Sequence, residues 1–112
     1  MTVYARRLSA TSVELIAPET IDAVAVAFMA RDAHALGWAR CWLLDTTNTT
    51  HFDQSAVPAV MTGLAYAAKC GLQRFVLVVP DPVARLALRS AIAQAPVRAT
   101  VVERRIEALQ MM

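Results

Sequence analysis

Glycine is scarce in this chain: Gly37, Gly63 and Gly71 are the only three among 112 residues. The phosphate-cradling loops GxGxxG and GxxxxGK(S/T) need clustered glycines, because backbone amides must close on a phosphate without Cβ atoms in the way. Neither loop is present. Cysteine is equally thin, with Cys41 inside an apolar run and Cys70 near a predicted helix end. Two cysteines without short ligand spacing build neither a disulfide framework nor a zinc site. The two histidines, His34 and His51, leave His51 and Asp53 two apart in a loop with no third ligand. No metal and no cofactor is expected.

Charge is also low. Asp, Glu, Lys and Arg make up 18% of the chain, against about 25% in an ordinary globular domain. Hydrophobic residues reach 57% and mean hydropathy is +0.44, the opposite of a disordered chain. The length suits one domain, spanning residues 1–112. The +2 net charge comes from ten arginines and a single lysine, Lys69, set against nine acidic residues. The basic residues are scattered, and the doublets Arg6–Arg7 and Arg104–Arg105 lie at opposite ends. A nucleic-acid binder concentrates positive charge on one stripe or face, so nucleic acid is not an expected partner. The longest uncharged stretch, Gln54 to Ala68, is broken by Pro58 and Gly63 and falls short of the ~20 apolar residues of a membrane span. Residues 1–7, MTVYARR, lack the apolar core of a secretory signal. The cytoplasm is the expected compartment.

Val13–Ala17 reads as a short apolar strand, with another before it at Val3–Leu8. Pro18 is placed at a helix start, where its missing N–H costs nothing. Ile21, Val24, Ala25 and Phe28 follow helical spacing, and Gly37 ends that helix. Val26 and Met29 widen its apolar surface into a patch available for self-association or for an apolar cleft. Cys41–Asp45 is apolar without alternation and ends in a carboxylate, as suits a strand buried on both faces of a parallel sheet. Thr46–Asp53 reads as a polar loop. A second helix from Ser55 carries Val57, Val60, Met61, Leu64, Ala65 and Ala68, and Gly71 closes it. Arg74–Val79 is the clearest strand. Pro80-Asp81-Pro82 pairs a capping carboxylate with a first-turn proline. The helix it opens is anchored by Leu86, Leu88 and Ile92, with Arg85 and Arg89 facing water, and ends at Pro96. Val97–Val102 is the last strand. Glu103–Met112 is a terminal helix anchored by Ile106 and Leu109. Strands separated by single helices imply parallel neighbours joined by right-handed crossovers. The predicted architecture is α/β: a single open, mostly parallel sheet with helices packed on it.

Catalytic constellations do not emerge. A nucleophile pair from Cys70 and His51 requires proximity in space that the spacing does not favour. Asp45 sits at a strand's C-terminal end like the phosphoacceptor of a response-regulator receiver. A receiver also needs an acidic pair after its first strand, and Glu14 and Glu19 do not form one. No catalytic residue is assigned, and the chain is not expected to be an enzyme.

The segment Leu43-Leu44-Asp45, a loop, then Phe52-Asp53-Gln54-Ser55-Ala56 opening a helix resembles the STAS domain family, named for sulfate transporters and anti-sigma factor antagonists. In that family a buried strand ends in an aspartate, and Asp-Ser-(Ser/Thr)-Gly begins the next helix. Asp53 matches the motif's aspartate, and Ser55 matches the hydroxyl residue phosphorylated by a partner kinase in antagonist members. Gln54 stands where serine is usual and Ala56 where glycine is, so a methyl occupies room the glycine leaves. The likeness runs on through Gly71, Phe75–Val79, the helix after Pro82 and Glu107-Ala108-Leu109, about the C-terminal two thirds in element order.

The resemblance implies a regulatory domain without cofactor that docks a protein partner, an anti-sigma factor or serine kinase. Its docking surface would be the 46–56 loop and following helix, with Asp45, Phe52, Asp53, Gln54, Ser55 and Ala56 as contact residues. Trp38, Trp42, Phe52 and Tyr66 are the aromatic candidates. Ser55 is the phosphorylation candidate, and its residue type serves equally as a plain helix cap. The alternative expectation is a module of the same fold that binds a small ligand or lipid in an apolar cleft between helix and sheet, without a switch.

Overall fold

The computed structural model describes residues 4–37 and 39–112; Trp38 and Val3 lie outside the described residues. Among the described residues the chain order is β1 (Tyr4–Arg7), β2 (Ser12–Ile16), β3 (Thr20–Ile21), α1 (Ala23–Ala35), β4 (Cys41–Asp45), β5 (His51–Phe52), α2 (Ala56–Lys69), β6 (Arg74–Val78), α3 (Pro82–Ile92), β7 (Arg98–Val102) and α4 (Arg105–Gln110). The main sheet has the order β1-β2-β4-β6-β7. β1 is antiparallel to β2, and every other neighbour is parallel. The mostly parallel α/β expectation holds.

Each step from β2 to β4, β6 and β7 passes through one helix. Successive right-handed crossovers in one direction put α1, α2 and α3 on a single face. That face is the main core: Val13, Leu15, Trp42, Leu44, Phe75, Leu77 and Val101 from the strands meet Ala25, Val26, Met29, Leu64, Ala67 and Ile92 from the helices. The alternate strand residues Cys41, Leu43, Val76 and Val78 point to the opposite face and bury Ala108 of α4. Strands sandwiched in this way read as continuous apolar runs.

Local chemistry sets the helix ends. Asp22 Oδ1 accepts the Ala25 N–H at 2.8 Å and starts α1. Asp81 Oδ2 accepts the Ala84 N–H at 2.8 Å and starts α3, with Pro82 in its first turn. At the end of α2, Gly71 has φ +108. Its N–H bonds Ala68 O and the Leu72 N–H bonds Ala67 O, a Schellman stop that a Cβ would strain.

The structure corrects several expectations. Pro18 does not open a helix, because residues 20–21 instead pair with 51–52 as a small parallel ribbon, Ile21 against Phe52. Part of the predicted 46–53 loop is therefore strand. The α1 face is rotated from the predicted one: Ala25, Val26, Met29 and Ala33 are buried, while Val24 and Phe28 are exposed. Val26 and Met29 form no surface patch, since the sheet covers them. Val57 and Ala65 of α2 and Leu86 of α3 face solvent. Arg85 lies half inward and donates to Val79 O and Pro80 O. The terminal helix is shorter than expected, and Ile106 and Leu109 are exposed. Its anchors are Ala108 and Arg105.

Candidate functional site

The strap made by β3 and β5 positions the loop ahead of α2. Thr50 and His51 N–H bond Glu19 O, and the Asp53 N–H bonds Ile21 O at 2.8 Å. Thr49 Oγ1 donates to Pro18 O at 2.8 Å. These bonds carry residues 51–55 over the start of α1 and leave all five exposed. The turn into α2 is tight, with the Ala56 N–H on Asp53 O and the Val57 N–H on Gln54 O.

Ser55 sits where two helices begin. Its φ and ψ are already helical and its side chain makes no cap bond to α2. Instead Ser55 Oγ accepts the Ala23 N–H, the first amide of α1, at 3.2 Å and donates to Asp53 Oδ2. Asp53 Oδ2 also accepts the Ser55 N–H at 3.1 Å. The hydrogen bond from the Ser55 hydroxyl, reinforced by its amide and by the nearby His51, holds the Asp53 carboxyl below its ordinary range. An open depression of about 290 Å³ surrounds this group, lined by Thr20, Asp22, Val24, His51, Asp53 and Ser55 among others. Exposed Val24, Phe52 and Val57 give its neighbourhood apolar surface.

The other predicted site residues divide sharply. Phe52, Asp53, Gln54 and Ser55 share the exposed surface. Ala56 is buried at the base of α2, and Asp45 is buried at the end of β4. Asp45 Oδ1 accepts the Thr47 N–H at 2.9 Å and the Thr47 hydroxyl at 2.5 Å, which shapes the loop from within. Trp42 is core, packed edge-on against His34 with centroids 5.3 Å apart, while Tyr66 is exposed. Cys70 follows the C-terminus of α2 and His51 precedes its N-terminus. A helix of that length, at 1.5 Å per residue, separates the two by about 20 Å, so they form no nucleophile pair. Ala23 and Val24 complete the site and were not among its predicted members. The signal for them was Asp22 ahead of an alanine- and valine-rich helical run, hidden by placing the helix start at Pro18.

The apolar cleft exists, but it is nearly filled. A cavity of about 30 Å³ lies between α1, α2 and the sheet, lined by Val26, Met29, Trp42, Leu64 and Phe75 among others. Small-molecule pockets begin at about 300 Å³. As folded, the cleft is about a tenth of that size. Among the described residues no group of three metal-ligating side chains comes together, and no helix is long and apolar enough to cross a membrane.

A parallel sheet with one antiparallel edge strand and three helices on one face is a SpoIIAA-like, STAS-like fold. Solved structures agree over nearly the whole chain. The chain is similar to a protein of the DUF3478 family with a SpoIIAA-like fold from Shewanella loihica PV-4, with TM-score 0.68 and 16% identity over 98% of this chain and 91% of that one. It is similar to the anti-sigma factor antagonist SpoIIAA in its unphosphorylated form, with TM-score 0.68 and 17% identity over 98% of this chain and 96% of that one. The phosphorylated form of SpoIIAA, a Bacillus cell fate determinant, matches with TM-score 0.66 and 18% identity over 98% of each. At such identities the likeness establishes the fold. No protein-family model and no curated protein matches the sequence.

Proposed function

We propose that this chain is a regulatory protein-interaction domain that docks a partner of the anti-sigma factor or serine kinase type through Phe52–Ser55 and the first turn of α2, and that phosphorylation of Ser55 releases the partner. The observation that carries the reading is the exposed Ser55 hydroxyl bonded to the first amide of α1. The SpoIIAA-like fold supports it, since SpoIIAA is an anti-sigma factor antagonist with a phosphorylated form.

The physics favours a switch that leaves the fold intact. A phosphate on Ser55 adds about −1.5 to −2 of charge. Amides at the start of α1 lack helical acceptors and favour that charge. Asp22 and Asp53 nearby add to the negative field. A partner that buries Phe52 and Val57 against this surface must desolvate the dianion or match it, and it dissociates. Asp45 and Ala56 act from beneath: the first orders the loop, and the second seats α2.

The test uses the whole chain, ATP and candidate anti-sigma kinases, with intact mass and complex formation as readouts. One phosphoryl group on the wild type and none on Ser55→Ala is expected, as is a complex with the unmodified protein that Ser55→Asp loses. No transfer to Ser55, together with no complex with any such kinase, sinks the reading.

A further inference from the structure

At the end of the sheet opposite Ser55 the strands begin, and three arginines gather there. Arg74 and Arg98 are direct neighbours in the β6–β7 register, and Arg74 pairs with Cys41 of β4, the residue after Arg40. Neighbouring strands lie about 4.8 Å apart, so the three side chains rise from within two strand spacings. They line one cavity of about 420 Å³ together with Gln73, Ser12 and Met111. That volume falls within the ~300–1,000 Å³ range of small-molecule sites.

The three arginines take no part in the ion pairs among the described residues. Carboxylates pair with Arg6, Arg31, Arg85, Arg104 and Arg105. Among the described residues none lies within ion-pair distance of Arg40, Arg74 or Arg98. Arg74 is fixed from below, donating through one guanidinium nitrogen to Met111 O. Arg40 and Arg98 are exposed, and among the described residues no side-chain hydrogen bond holds either of them. The strand-start amides are occupied: the Gln73 and Arg74 N–H groups bond Arg40 O, and the Arg98 N–H bonds Gln73 O. Recognition in this cavity therefore falls to side chains, namely guanidinium forks beside the Gln73 amide. Guanidinium groups match the oxygens of a phosphate bidentately.

The geometry points to a binding site for a small phosphate-bearing ligand in this cavity, with Arg40 and Arg98 as clamping residues and Arg74 as the pre-positioned one. A doubly charged phosphate meets three positive charges there, with space left for its organic part. The site is independent of the Ser55 switch and lies at the other end of the strands.

Isothermal titration calorimetry of the full chain with inorganic pyrophosphate tests it. One saturable site per chain is expected, weakened about tenfold by either Arg40→Gln or Arg98→Gln, the scale of one lost charge-assisted contact. The double variant Arg31→Gln/Arg89→Gln removes twice the charge of either single variant, elsewhere on the chain, and is expected to bind as the wild type does. A second arm measures sedimentation with vesicles containing phosphatidic acid. Pyrophosphate binding without vesicle binding assigns a free phosphate compound. Binding to both, lost together in Arg40→Gln, assigns a lipid headgroup. No pyrophosphate binding, with or without vesicle binding, overturns the site, and so does equal weakening in the Arg31/Arg89 control. Because both clamping residues are exposed, circular dichroism of each variant is expected to match the wild type. Gln73→Ala provides a charge-neutral check and is also expected to weaken binding.

Discussion

Glu14, in the middle of β2, has no solvent exposure, and Arg105 of α4 reaches it with Nε 2.6 Å from Oε2. A second nitrogen of Arg105 lies 3.1 Å from Oε1, and Arg6 Nε reaches the same oxygen at 2.8 Å. A six-residue helix with Ile106 and Leu109 exposed has little apolar area to hold it on the sheet. The buried carboxylate supplies the rest of the attachment.

Removing one partner leaves that carboxylate short of compensation. Breaking a fully buried pair costs about 3–5 kcal/mol. Arg105 is 38% exposed and Arg6 remains, so Arg105→Ala is expected to cost about 2 kcal/mol in urea unfolding. Glu14→Leu combined with Arg105→Met is expected to recover most of that loss, because the face around them is apolar. A double variant less stable than Arg105→Ala alone would contradict this account.

The same pair sets an acid limit. Burial alone would raise the Glu14 carboxyl, but the hydrogen bonds and charges of Arg105 and Arg6 outweigh it and hold it below its usual range. A depressed folded-state pKa contributes stability above the unfolded value of about 4.3 and loses it as pH falls through the folded value. Stability is therefore expected to fall below pH ~4.3 more steeply in the wild type than in Glu14→Gln. Parallel curves in denaturant titrations at each pH would remove Glu14 from the explanation.

At the other end of the sheet, the Ser55 hydroxyl keeps Asp53 acidic. Ser55→Ala removes that donor, so the Asp53 pKa is expected to move up toward about 3.9, read from its carboxyl carbon by NMR. The variant also leaves the Ala23 N–H to water, at a cost of about 1 kcal/mol or less. An unmoved Asp53 would show that the hydroxyl does not bond it in solution.

Two glycines are expected to respond in opposite directions. A Cβ at Gly63, inside α2, would meet Ala30 Cβ at 3.9 Å, an ordinary contact. Gly63→Ala is expected to stabilise by about 0.5–1 kcal/mol through helix propensity. Gly37 has φ +103, and a Cβ there would lie 2.9 Å from an Arg7 guanidinium nitrogen. Gly37→Ala is expected to destabilise by about 1 kcal/mol or more. Thermal unfolding of the two variants reads both signs.

Helix starts with their own chemistry were legible. Pro80-Asp81-Pro82 marked α3 because the capping carboxylate and the proline act within one turn. Asp53-Gln54-Ser55-Ala56 marked the entry to α2 as a polar run ahead of apolar helical spacing, although no side chain caps that helix. Faces were less legible. Val24 and Val26, or Leu86 and Leu88, are equally apolar, and only the angle at which each helix meets the sheet decides which of them is buried. Glu14 was read only as half of a missing acidic pair, since its partner stands 91 residues away. Pro18 misled because proline favours a helix start and a strand approach alike.

From its letters alone the chain determined the order of the main-sheet strands and the helices between them, the mostly parallel sheet and the place where α2 begins. Those follow from local patterns of apolar spacing, caps and turns, which reach only a few residues. The tertiary structure decided the rest: that Ser55 caps the neighbouring helix and not its own, that a buried carboxylate pins α4, and that three strand-start arginines share one cavity. Each of these depends on parallel register, which brings distant residues together by hydrogen bonding between strands and leaves no mark at short range.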